Sequence, residues 1–170
     1  MERESCNTLL SALVDFLRGV RILLITIKVK QNIFINVPAK EIFAYISNFE
    51  NMVDWSSTII TVRKISSGAV EMGATVRSTI RFLGKWLDIT FEIVEYEPGR
   101  YLTIKSVSGI APFLFCYQFE PVEDGGTTIS QKAVIHLPEG ILEMKAPVIT
   151  SAVRRQIEYD LQTLKDMLEA

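Results

Sequence analysis

The chain has 170 residues, of which 48% are hydrophobic, and a formal net charge of −2 at pH 7. A chain this apolar is not intrinsically disordered, and its interspersed charges give no basic groove for nucleic acid. The length is typical of one domain, and a core of this size does not need disulfides or a structural metal for stability. The two cysteines, Cys6 and Cys116, form no CxxC pair, so we expect a reduced cytoplasmic protein in which Cys116 is an ordinary strand residue.

Residues 1–24 precede the first predicted strand. The stretch from Thr8 to Ile27 is apolar enough to suggest a membrane span, but Asp15, Arg18 and Arg21 lie near its middle. Each costs about 2.5–3.5 kcal/mol at a membrane centre, so a span is disfavoured. Asp15 also interrupts the apolar region that a signal peptide needs. We interpret the segment as an amphipathic helical extension that packs on its own domain or forms a tail, or alternatively makes a peripheral membrane or partner contact. Its apolar face comprises Leu9, Leu13, Phe16, Leu17, Val20 and Leu24.

Residues 27–37 alternate between apolar and polar side chains, which predicts a half-buried strand. Pro38 ends the strand and is expected at the first position of a short helix. A second short helical turn is predicted over residues 48–56, carrying Trp55.

Further strands are separated by turn signals such as Pro98-Gly99 and Asp124-Gly125-Gly126. Strands at this spacing are typical of an antiparallel meander. They are predicted over residues 59–65, 74–82, 86–96, 101–107, 113–120 and 127–137.

The period changes to helical over residues 147–168, with a kinked earlier turn expected from Ile141. The apolar stripe of this helix needs a surface to cover, and the apolar face of the sheet supplies one. The predicted fold class is α+β, with a seven-stranded antiparallel sheet wrapped around a long C-terminal helix and two short helices after the first strand. The stripe consists of Ile149, Val153, Ile157, Leu161, Leu164 and Leu168.

Several short stretches occur in a characteristic order: residues 35–43 (INVPAKEIF), 48–55 (NFENMVDW), 81–85 (RFLGK), 119–122 (FEPV) with 125–127 (GGT), and 164–169 (LKDMLE). This order resembles the START-like (SRPBCC, helix-grip) superfamily, and within it the polyketide cyclase/dehydrase and lipid-transport group. The resemblance runs from residue 27 to the C-terminus. It implies a START-like ligand-binding domain over residues 25–170, with a cavity between sheet and helix.

Family members use that cavity for lipids, isoprenoids, plant hormones or polyketides, and the resemblance transfers no fixed catalytic set, so fold alone does not decide the activity. The expected function is binding of a small hydrophobic ligand that is lipid-like, isoprenoid- or quinone-like, or polyketide-like. One alternative is a polyketide cyclase or dehydratase, with Tyr117 and Asp54 as acid/base candidates. Another is a membrane-associated module that binds a quinone or lipid for a partner enzyme.

Common cofactor and metal signatures are missing from the sequence. Neither GxGxxG nor GxxxxGK[ST] occurs, and His136 is the single histidine, which excludes multi-histidine metal sites. His136 has the parity of an outward-facing residue at a strand end. No cofactor and no metal are predicted.

Candidate ligand-binding residues follow from strand parity and from the four-residue step of the helix. Four strands each aim one polar residue at an otherwise apolar interior, and an apolar pocket with a few converging polar groups is how small-ligand sites are usually built. The alternative is that these polar groups bond to one another or lie at a wet rim. Tyr117 is expected to be the main orienting group. The predicted site is Val76, Ser78, Ile80, Phe91, Ile104, Ser106, Phe115, Tyr117, Gln131, Ile149, Val153 and Ile157.

Overall fold

The computed structural model of the protein describes Thr8, Leu9 and residues 24–170. Most of the predicted N-terminal extension, residues 1–24, therefore lies outside the described residues. Within the described part, no helix is both long enough and apolar enough to cross a membrane.

The order of elements within residues 24–170 is the predicted one, and the predicted fold class is confirmed. The strands are β1 (Leu24–Ile35), β2 (Ile59–Lys64), β3 (Thr75–Phe82), β4 (Lys85–Glu97), β5 (Tyr101–Ser108), β6 (Phe113–Pro121) and β7 (Thr127–Pro138). The helices are α1 (Ala39–Ser47), a 3₁₀ turn (Phe49–Asn51), α2 (Met52–Trp55) and α3 (Ala146–Leu168).

The strands form one antiparallel sheet in the order β1-β7-β6-β5-β4-β3-β2. The first strand pairs with the last, so that Ile27 lies opposite Ile135 and Ile33 opposite Ile129. Two register shifts interrupt the pairing of β4 with β5, and such irregularities bend a strand and increase its twist. The sheet can therefore curve around α3 and present one apolar face to it.

The long helix α3 carries its predicted stripe into the interior. Ile149 and Leu164 are fully buried near its two ends, with Val153, Ile157 and Leu161 between them. Pro147 lies in the first turn, where its missing N–H costs nothing. The expected earlier helical turn from Ile141 is wrong: residues 139–145 form turns and bends. Gly140 in this segment has a φ of 84°, which a right-handed helix cannot contain.

The short helices fill one end of the sheet's inner face. The Pro38 carbonyl accepts hydrogen bonds from Glu41 N at 3.0 Å and Ile42 N at 3.2 Å, so Pro38 is the residue before the helix rather than its first residue. Phe43 on α1 packs edge-on against Tyr96 and Phe119, with ring centroids 5.1 and 5.4 Å apart. This end of the core is solid, and open space lies further along α3.

The outer face of the sheet carries a second, smaller apolar cluster. Leu114 and Cys116 on β6 are buried there, with Leu9 and Val94 packed against them. Cys116 is disulfide-bonded, so the expectation of a reduced thiol at this position is wrong. Sequence spacing could not reveal this, because a disulfide depends on how closely the fold brings two cysteines together. The second cysteine of the chain, Cys6, lies outside the described residues.

Candidate functional site

An apolar cavity of about 140 Å³ lies between the inner face of the sheet and α3. An apolar cavity of similar size, about 150 Å³, holds a benzene-sized molecule in another protein, so this one has room for roughly one aromatic ring. Strands β3 to β7 supply one wall, α3 the opposite wall, and α2 with the α2–β2 connection one side. Its lining consists of Met52, Trp55, Ser56, Thr58, Ile59, Ile80, Phe82, Leu87, Ile89, Phe91, Ile104, Ala111, Phe113, Phe115, Tyr117, Gln131, Ile135, Leu137, Val153, Gln156, Ile157 and Asp160.

Most of the residues predicted from parity come together around this cavity. Two of them are the polar residues Tyr117 and Gln131, which lie on neighbouring strands β6 and β7 and directly opposite each other. The predicted residues that line the cavity are Ile80, Phe91, Ile104, Phe115, Tyr117, Gln131, Val153 and Ile157.

Four predicted residues do not line the cavity. Val76 and Ile149 are fully buried in solid parts of the core. The Ser78 hydroxyl donates to the carbonyl of Thr61 at 2.9 Å, and the Ser106 hydroxyl accepts from the Phe113 N–H at 2.8 Å. Parity gave the correct face for these serines, but local backbone groups satisfy their hydroxyls, so they are not directed at a ligand.

Tyr117 and Gln131 form the polar pair inside the apolar wall. Gln131 Nε2 donates to the Tyr117 hydroxyl at 3.2 Å. Burial, and secondly the negative charge of Asp160, raises the pKa of Tyr117, so the hydroxyl stays protonated. Among the described residues, no group accepts a hydrogen bond from this hydroxyl, which leaves its proton available to a bound molecule.

Asp160 is a buried carboxylate on α3 that the sequence interpretation missed. Its Oδ1 accepts from Ser57 N at 3.0 Å, Ser57 Oγ at 2.7 Å and Gln156 Nε2 at 2.9 Å, and its Oδ2 accepts from Ser56 Oγ at 3.0 Å. Gln156 Nε2 also contacts Ser57 Oγ. The carboxylate thus fastens α3 to the α2–β2 connection at the polar edge of the cavity. An acid three residues after Ile157, between stripe residues, was the available sequence signal.

Aromatic side chains form much of the remaining wall. Phe113 stacks on Phe115 at a centroid distance of 4.9 Å and meets Phe91 edge-on at 6.3 Å, while Phe49 packs edge-on against Phe91 at 5.3 Å. Trp55 also lines the cavity, and its indole N–H is buried without an acceptor among the described residues. The wall therefore offers flat apolar surfaces together with very few hydrogen-bonding groups.

Asp54 and His136 lie away from the cavity. Asp54 is exposed at the end of α2 and does not line the cavity. His136 faces away from the cavity, as expected from parity, but it is buried rather than solvated, with Nδ1 3.1 Å from Thr26 Oγ1. Burial, and secondly the charge of Lys28, lowers the pKa of His136. Neither side chain can reach a molecule in the cavity.

The family described as polyketide cyclase / dehydrase and lipid transport matches residues 26–169. The chain belongs to this family. The match covers all of β1 except its first residues and every later element, and the predicted resemblance to the START-like superfamily is confirmed. No curated protein matches the chain.

Solved structures share the fold of this family member at low sequence identity. A protein from Thermus thermophilus superposes with a TM-score of 0.71 at 14% identity, covering 82% of this chain and 94% of that one. A START superfamily protein from Mycobacterium smegmatis gives 0.70 at 13% identity, covering 84% and 97%. The Zhui aromatase/cyclase from Streptomyces sp. R1128 gives 0.69 at 12% identity, covering 85% and 94%. At these identities the likeness shows the fold alone.

Proposed function

We propose that the protein binds a small hydrophobic molecule, lipid-like, isoprenoid- or quinone-like, or polyketide-like, in the cavity between the sheet and α3. The observation that carries this proposal is the composition of the wall. Most of its side chains are apolar or aromatic, and among them lies the buried Tyr117 hydroxyl, whose proton no described residue accepts. An enclosed apolar space with few polar groups is the usual architecture of small-ligand sites. The family description, which includes lipid transport, agrees with it.

The state of Asp160 favours binding over acid/base chemistry. A carboxylate offers about four lone-pair positions. Asp160 Oδ1 accepts from Ser57 and Gln156, and Asp160 Oδ2 accepts from Ser56. These donors hold the carboxylate in place and compete with a ligand proton for its oxygens. Asp160 therefore supports the shape of the site rather than a reaction in it.

Native mass spectrometry of the freshly purified protein tests the proposal. We expect the wild-type protein to retain an apolar molecule that organic extraction releases. Tyr117→Phe should retain less of an oxygen-bearing molecule, whereas Tyr159→Phe, an exposed tyrosine on the outside of α3, should behave as wild type. A protein that carries nothing and takes up no one-ring apolar probe would refute the proposal.

A cyclase or dehydratase activity is the second candidate, and the buried Tyr117 hydroxyl in the cavity favours it. The protonated Tyr117 hydroxyl could act as a general acid toward a carbonyl oxygen. If Tyr117→Phe abolished turnover of a polyketide-like substrate while its binding survived, the enzyme would replace the binding protein as the best description.

Peripheral membrane contact through residues 1–24 stays a prediction, because nearly all of this segment lies outside the described residues. Co-sedimentation with lipid vesicles, comparing the full chain with a variant that starts at residue 24, tests it directly. Equal vesicle binding by both chains would eliminate the segment as a membrane anchor. The cytoplasmic location also stays a prediction, and the disulfide at Cys116 counts against it, since disulfides are rare in the reducing cytosol.

A further inference from the structure

The cavity is almost free of charged side chains. Among the described residues that line it, Asp160 is the single charged side chain, and no lysine, arginine or histidine joins it. An anion placed in the cavity would be removed from water beside a carboxylate, without a cation to balance it. Burying a charge without a partner is strongly unfavourable, so carboxylates and phosphates are poor occupants.

The Asp160 carboxylate is mostly occupied by its protein partners. Its Oδ1 accepts three hydrogen bonds and its Oδ2 accepts one, from the α2–β2 connection and from Gln156. A bound ammonium group would share Oδ2 with the Ser56 hydroxyl. The charge of the cavity therefore acts chiefly against anions.

Two buried donors at the cavity lack an acceptor among the described residues. The Tyr117 hydroxyl receives its one hydrogen bond from Gln131 and keeps its own proton, and burial beside Asp160 raises the pKa of Tyr117, so this proton is present throughout the physiological range. The Trp55 indole N–H, which can only donate, has no acceptor among the described residues. A ligand that accepts hydrogen bonds would satisfy groups that an all-carbon ligand leaves unpaired.

We propose that the cavity selects electrically neutral, carbonyl-bearing aromatic or unsaturated molecules, with the Tyr117 hydroxyl donating to the ligand oxygen, and rejects the corresponding carboxylates. This inference rests on the proposed function, because it specifies which molecules the same cavity takes. This selection would admit ketones, quinones and neutral esters and exclude free fatty acids and phosphorylated isoprenoids. The apolar lining alone does not distinguish these two groups.

One-ring probes matched in shape test the selection. Acetophenone, benzamide, benzoate and ethylbenzene are titrated into the full-length protein at about pH 7.5, where benzoate is ionised, and followed by NMR chemical shifts. We expect acetophenone and benzamide to bind at least about tenfold more tightly than benzoate. Tyr117→Phe should weaken acetophenone about fivefold, the effect of one neutral hydrogen bond, and leave ethylbenzene unchanged.

A second variant tests whether Asp160 causes the weak binding of benzoate. Asp160→Asn removes the negative charge with little change of shape, so benzoate should gain affinity while ethylbenzene, which serves as the control for folding, stays the same. Benzoate binding as tightly as benzamide in the wild-type protein would overturn the inference without any variant. If none of the four probes bound, the proposed function itself would fail, which is a different and distinguishable result.

Discussion

The carboxylate of Asp160 provides the sharpest test of how the long helix is fastened. Asp160→Ala removes the acceptor of the hydrogen bonds from Ser56, Ser57 and Gln156. A hydrogen bond to a charged group contributes about 1.5–3 kcal/mol, and the bond from Ser56, between two buried residues, should count in full. Ser57 and Gln156 are more exposed, so water can replace the carboxylate there and each adds only about 0.5 kcal/mol. The expected loss in the free energy of unfolding is about 2.5–4 kcal/mol.

Urea denaturation followed by circular dichroism measures this loss. Asp166→Ala is the matched control, because Asp166 is exposed on the same helix and accepts one hydrogen bond from Gln162 at 2.7 Å. Asp166→Ala should change the free energy of unfolding by less than about 0.5 kcal/mol. Asp160→Asn, which keeps an acceptor oxygen, should fall between the two. A loss within about 0.5 kcal/mol for Asp160→Ala would show that the α2–β2 connection is not held by this carboxylate.

Further predictions concern the core, the outer face of the sheet and the cysteines. Ile149→Ala should lower the free energy of unfolding by about 4 kcal/mol and Ile157→Ala by only about 2. The difference arises because Ile149 is fully buried in solid core, whereas Ile157 borders the cavity. Equal losses in urea denaturation would contradict this prediction. Because the pKa of His136 is lowered in the folded protein, the unfolded chain protonates this side chain more readily. The free energy of unfolding should therefore fall as the pH drops below 6.5. A His136→Leu variant should lose less stability over the same pH interval. Thiol counting by mass spectrometry under non-reducing conditions should find no free thiol at Cys116; alkylation of that residue in the native protein would contradict the disulfide.

Periodicity predicted the fold well because the sheet and the helix each bury one face. The stripe from Ile149 to Leu164 has a helical step and is buried along its length. Burial alternates along β7 from Thr127 to Ala133, as in a half-buried strand. Prediction failed at two places. The chain around Ile141 is apolar enough for a helix, but residues 139–144 form a turn and bends. The bonded state of Cys116 depends on the tertiary fold, which the sequence pattern does not encode.

The sequence predicted which face of the sheet the site lies on, but not which polar groups are available to a ligand. Parity correctly placed Ser78, Ser106 and Tyr117 on inner-facing positions, yet it could not say which hydroxyls find a backbone partner nearby. The serines do, whereas the longer Tyr117 side chain reaches beyond the backbone to the cavity wall. The role of Asp160 does not follow from the sequence pattern, because its partners Ser56 and Ser57 are about a hundred residues away along the chain.

The cavity itself has an energetic cost that a substitution can recover. By the coefficient for sealed core cavities, about 24 cal/mol per Å³, a space of this size lowers stability by at most about 3 kcal/mol. Ala111 is a buried small residue that lines it, and Ala111→Leu adds three carbon atoms. Each buried CH₂ contributes about 0.8 kcal/mol, so the variant should be up to about 2 kcal/mol more stable than wild type.

The same substitution should lower the affinity for acetophenone, since the added carbons occupy the ligand's space. The control is Ala74→Leu: Ala74 is equally small and buried, but it packs in the solid core near Val76 and does not line the cavity. Overpacking there should destabilise the protein by about 1–3 kcal/mol. If Ala111→Leu were destabilised as much as Ala74→Leu, the space between the sheet and α3 would not be available to a side chain, and so not to a ligand either. A cavity kept for binding at the expense of stability requires Ala111→Leu to stabilise the protein and Ala74→Leu to destabilise it. It also requires Ala111→Leu to lower the affinity for the ligand.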